Sequence, residues 1–164
     1  MSSQRLLALG GMILVIVGLT YGAVYSAAFL TPLRSRPPAL EKEALEAIDR
    51  LQLDEAMRKW DRRTRLLNVR DFNRGAHTHF TLMGLTSVVF AAYLGKTGFA
   101  SWIKYLLATG TLLGAALLPT GVLVEIWNAH MGRILALVGG AVFLVSLLVV
   151  SLGYLFGGGS RQEQ

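Results

Sequence analysis

Hydrophobic and polar positions divide this chain into four long apolar runs and one charged interval. Leu6 to Leu30 is an uncharged stretch of about 25 residues, enough helix to span a hydrocarbon core of about 30 Å. A second run begins near His77 and reaches Leu94, closed by Gly95, Lys96 and Gly98. A third extends from Trp102 to Trp127 and contains Pro119. A fourth extends from Ile134 to Phe156, after a connector from Asn128 to Arg133. None alternates as a barrel strand does, and lipid leaves no partner for an open strand's backbone, so all four runs predict helices.

Between the first two runs the period is helical and the residues are charged. Leu40, Ala44, Ile48, Leu51, Met57, Trp60 and Leu67 recur at spacings near three and four, predicting one amphipathic helix over 40–67. Glu41, Glu43 and Glu46 fill its first turns and Lys59, Arg62, Arg63 and Arg65 its last, the order that a helix dipole favours. Pro32, Pro37 and Pro38 are expected to end the first helix in an extended exit.

The expected fold is therefore an all-α integral membrane protein: four transmembrane helices with one extramembrane helix between the first and second. Its segments are 1–31 (first span), 32–75 (charged insert), 76–156 (three further spans) and 157–164 (polar tail). A signal peptide cleaved after Ser26-Ala27-Ala28 is the alternative for the first run. The run exceeds the usual apolar region of about 7–15 residues, so a retained helix is expected. Gly18 with Gly22, and Gly110 with Gly114, have the small-xxx-small spacing that lets membrane helices approach closely. Trp102 and Trp127 fall at the ends of the third run, where interfacial aromatics belong.

Composition agrees with this pattern. The chain is 53% apolar and 16% charged, against about a quarter charged in soluble domains. Of its 26 charged residues, 19 lie between Arg34 and Arg74. The formal net charge of +6 comes without a basic stripe interleaved with aromatics, so no nucleic acid is expected as a partner. The expected partners are the lipid bilayer and either other membrane subunits or further copies of the chain, in a prokaryotic plasma membrane. Eleven basic residues in the insert place it in the cytoplasm by the positive-inside rule, diluted by eight acids.

The chain has no cysteine, which excludes disulfides, thiolate metal sites, iron–sulfur clusters and covalent haem. Cofactor chemistry must then pass through His77, His79 and His130. With four spans, the start of the second run and the connector before the fourth reach the same membrane face, so these histidines share it with Asn73, Arg74, Glu125 and Arg133. On a helix, His77 and His79 point about 200° apart; in extended chain both could meet one metal. Three interpretations follow. One is interfacial capping, with a Glu125–Arg133 salt bridge. Another is a b-type haem between His130 and His77 or His79, with Arg74 or Arg133 on a propionate. The third is a copper, zinc or iron ion on the three histidines and Glu125.

The stretch His77-Thr78-His79-Phe80-Thr81-Leu82-Met83-Gly84 resembles the H-x-H…G opening of a helix in the catalytic subunits of haem–copper oxidases and nitric oxide reductases. The resemblance covers one helix, or two if Pro119-Thr120-Gly121 and His130-Met131-Gly132 are included. It implies a low-spin haem ligand at His77 or His79. Four spans and three histidines fall short of that family's twelve or more helices and its haem plus copper centre. The expected function is thus a small membrane subunit of a larger, respiratory or redox, complex without catalysis of its own. An electron-transferring haem b protein and a small membrane metalloenzyme are the alternatives.

Overall fold

The computed structural model describes residues 1–157; the side chains of 29–34 and the polar tail 158–164 lie outside the described residues. All regular structure among the described residues is helical: α1 Ser3–Tyr25, a π-helical turn Ser26–Leu30, α2 Thr31–Asp49, α3 Leu53–Lys96, α4 Ser101–Val124 and α5 Ala129–Gly157. Four helices, Ser3–Ala28, α3, α4 and α5, are long and apolar enough to cross a membrane, as in a multi-pass membrane protein.

Two expected boundaries are absent. α3 is a single helix of 44 residues, about 66 Å long, so the charged interval and the second apolar run share one rod. The composition changes at Arg74, but every backbone donor on either side still finds its carbonyl, and nothing stops the helix. The exit from α1 is not extended either. Pro37 and Pro38 lie inside α2, and helix continues from α1 through the π-helical turn. Pro32 has no N–H for the carbonyl four residues earlier, and the wider turn falls where that bond is missing. With three donors missing, packing along α3 is what keeps α2 helical.

The helix expected over 40–67 is instead two helices folded against each other. α2 ends in a Schellman motif: Leu51 N–H donates to the Ile48 carbonyl and Gln52 N–H to the Ala47 carbonyl, each at 2.8 Å. Leu51 takes the left-handed conformation this motif needs, with φ 59°. Ala44, Ala47 and Ala56 fill the hairpin seam. Lys59 bridges Glu55 and Glu43, and Arg63 bonds Glu41 at 2.8 Å.

In the apolar part, α1 packs along α3 and α4 along α5, with α3 and α4 joining the two pairs. Each helix does so through residues spaced alternately four and three apart. On α1 these are Leu7, Gly11, Leu14, Gly18, Tyr21 and Tyr25. On α3 they are Asn73, His77, Phe80, Gly84, Ser87, Ala91 and Leu94. That spacing makes one stripe on a slightly supercoiled helix. Small residues let the backbones close in: a β-carbon at Gly114 would lie 2.6 Å from the Phe143 nitrogen. Both small-residue pairs expected from sequence serve these seams, Gly18 and Gly22 against α3 and Gly110 and Gly114 against α5. Larger side chains fill the far end, where Leu7, Leu94, Leu107 and Val150 form the main core.

The hairpin turns place Ser3, the Lys96–Ser101 connection and Gly157 at one end of the bundle. Tyr25, His77 and the α4–α5 connection lie at the other, from which α2 and the first half of α3 extend. Gly95 touches Gln4 and Gly98 approaches Gly157, whereas Gly75 lies beside Val122.

Candidate functional site

One cluster of polar side chains lies where α1 and α3 pass at the hairpin end. Asn73 is buried one turn before His77 on the stripe of α3 that faces α1. Its side-chain nitrogen donates to the Val69 carbonyl at 2.6 Å, and its oxygen accepts the Tyr21 hydroxyl. Tyr21 lies parallel to Tyr25, ring centres 6.4 Å apart. One turn further along α3, His77 Nδ1 lies 2.7 Å from the Gly18 carbonyl oxygen, and its ring fills the space that a side chain at Gly22 would need. A carbonyl only accepts, so Nδ1 carries the proton and donates it to Gly18. Thr81 Oγ1 donates to the His77 carbonyl and occupies the gap left by Gly18.

The sequence-predicted residues share this level of the bundle but not one point. His77 and His79 are both helical, so the extended H-x-H arrangement does not occur; His77 turns to α1 and His79 to another side. His130 lies not in a connector but in the first turn of α5, which Asn128 caps by accepting the Met131 N–H at 3.1 Å. α5 packs on α4 and, less extensively, on α3, away from the α1–α3 seam that holds His77. His130, Arg74 and Arg133 are exposed. Glu125 ends α4 and folds over Gly132, and no ion pair joins it to Arg133. Among the described residues no group of three or more His, Asp or Glu side chains lies close enough to hold a metal ion.

Sequence reasoning missed Tyr21 and, as a bonding group, Asn73. Both were accessible to it. Tyr21 continues the α1 stripe three residues beyond Gly18, and Asn73 stands four before His77, so the two polar groups occupy facing stripes. Chemically, the cluster satisfies polar side chains in an apolar bundle and fixes the register of α1 on α3. An unsatisfied polar group there would cost roughly 1–3 kcal/mol.

Compared with models of protein families, with curated proteins and with solved structures, the chain matches none.

Proposed function

We propose that this chain is a multi-pass membrane subunit of a larger membrane complex, acting through assembly rather than through a reaction of its own. Its docking element is the α2–α3 hairpin, held clear of the bilayer on the cytoplasmic side. The supporting observation is the continuity of α3 through Arg74. Between Arg74 and Lys96 runs about 30 Å of helix without charge, and the same length separates Lys104 from Glu125. These charges mark the edges of the hydrocarbon. Beyond them α3 continues about 30 Å further, and exposes Leu53, Met57 and Trp60. Trp60 lies about 20 Å past Arg74, beyond the reach of lipid on an unbroken helix. An apolar patch at that height, out of reach of lipid, is the kind of surface that protein partners cover.

Replacing Met57 and Trp60 with Asp tests this. The expected outcome is loss of the high-mass assembly on native electrophoresis of gently solubilised membranes, with insertion of the four spans unchanged. An assembly of unaltered mass would contradict the proposal.

One observation favours the haem reading: the Nδ1–H of His77 is anchored to a carbonyl, as in histidines whose Nε2 ligates a metal. Against it, the ring is wedged against Gly22, and His130 belongs to a helix that packs elsewhere. A shared haem requires His77 or His79 to face α5 across an open slot. The visible spectrum of the purified protein decides, since a Soret band lost on His130→Ala would establish the haem.

A further inference from the structure

Charge is distributed along the hairpin in step with distance from the bilayer. The Arg63–Glu41 bond sets residue 41 of α2 level with 63 of α3, so the hairpin divides there into a half near the membrane and a half near the tip. Nearer the membrane, 34–41 and 62–74 hold seven arginines, no lysine and two acids, Glu41 and Asp71, a formal charge of +5. Toward the tip, 42–61 holds four basic residues and six acids, a formal charge of −2. On the α4–α5 turn Glu125 and Arg133 cancel each other. The four lysines all lie elsewhere, Lys42 and Lys59 toward the tip, Lys96 and Lys104 at the opposite end of the bundle. Among the described residues, Arg36, Arg62, Arg65 and Arg74 are exposed and join no ion pair. Arg70 pairs only with its neighbour Asp71, whose side chain is 61% exposed, and such a pair contributes at most about 1 kcal/mol.

We infer that this arginine collar, with Arg70 and Arg74 at its centre, binds the phosphates of anionic lipid headgroups in the leaflet on the hairpin side. The depth fits. Headgroups occupy about 5–8 Å on each side of the hydrocarbon core. Arg74 stands at the edge of that core and Arg70 about 6 Å beyond it, within this layer. Arg65, about 14 Å beyond, reaches back toward the layer with its long side chain. The direction fits as well. Asn73 faces α1 and Gly75 faces α4, so Arg74, about 100° from each, projects from the side that neither covers. Arg70 lies one turn further on, and both guanidinium groups act electrostatically on the Tyr25 hydroxyl, so two cations converge where α1 ends. A guanidinium fork matches two phosphate oxygens and sheds water more readily than an ammonium does, which accounts for arginine without lysine at this depth. The same negative surface repels the acidic tip and favours a hairpin held upright. This site rests on the hydrocarbon edge lying at Arg74, and not on what covers the apolar side of the hairpin.

Native mass spectrometry of the full chain, purified in an uncharged detergent, tests the site. Phosphatidylglycerol is titrated in parallel with phosphatidylcholine of the same acyl chains, and inorganic phosphate is offered as a competitor. The expected result is selective retention of phosphatidylglycerol, weakened by salt and not displaced by inorganic phosphate at like concentration. Arg70→Gln and Arg74→Gln should each weaken retention about fivefold, the equivalent of about 1 kcal/mol for one charge at the surface. The same charge removed at Arg58, about 24 Å past Arg74 and beyond two Debye lengths, or at Lys96, at the opposite end of the bundle, should leave retention unchanged. Equal retention of the two lipids overturns the inference without any substitution. So does a loss in Arg58→Gln or Lys96→Gln as large as that in Arg74→Gln, which would mean a diffuse field and no site. Displacement by inorganic phosphate also overturns it, since the ligand would then be a soluble anion. The oligomeric mass of the assembly reports on the protein partner separately, so either reading can fail alone.

Discussion

Gly11 and Gly84 stand back to back where α1 crosses α3: a β-carbon on either would lie 2.7 Å from the carbonyl oxygen of the other. Backbone meets backbone there, with no flexible side chain to yield. Substituting Gly84 with Leu is expected to destabilise the bundle in detergent by at least the 1–3 kcal/mol typical of overpacking. Gly75→Ala is the matched control, since its new methyl meets only Val122 at 3.6 Å and improves helix propensity. Thermal unfolding of the two variants checks the contrast; equal melting temperatures would mean that α1 does not approach α3 so closely.

The bond from Tyr21 to Asn73 should behave as a coupled pair. Tyr21→Phe leaves the buried Asn73 oxygen without its donor, and Asn73→Ala removes both the acceptor and the bond to Val69. A double-mutant cycle is expected to return a coupling of about 0.5–3 kcal/mol, the range for groups in direct contact. Additive effects would show that the two side chains do not bond.

Leu51 offers a prediction of opposite sign. Glycine tolerates the left-handed conformation that leucine adopts at a cost of about 1–2 kcal/mol, though it gives back part of the gain as chain entropy. Leu51→Gly should therefore stabilise the isolated turn by up to about 1 kcal/mol, seen as slower amide exchange over 47–56.

Much of this architecture was legible in the sequence because apolar run length and the bilayer constrain each other tightly. The four spans, the shared level of His77, His79, His130 and Glu125, and the Gly18/Gly22 and Gly110/Gly114 contacts all follow from patterns along the chain. Two other features were hidden for physical reasons. The reversal at 50–52 carries none of the usual Gly, Pro or Asn signals, because a leucine occupies the left-handed position. The charged start of α3 looks like a separate element, since composition marks what a helix faces and not where its backbone hydrogen bonding stops. Within the site, the sequence gives the height of each histidine but not its azimuth. The azimuth depends on α1 packing against α3, which the four-three stripe of Asn73, His77, Phe80, Gly84 and Ser87 encodes once it is paired with that of α1.

The account depends most on α3 being one rod that leaves the membrane at Arg74, and cysteine scanning along it is the most direct measurement. Arg58→Cys and Arg65→Cys should react with an impermeant maleimide from the side on which the hairpin lies. Leu82→Cys and Val89→Cys, on the exposed apolar face, should be protected, and Ser101→Cys should react only from the opposite side. Protection of both arginine positions, or reaction of Arg65→Cys and Ser101→Cys from the same side, would contradict the account.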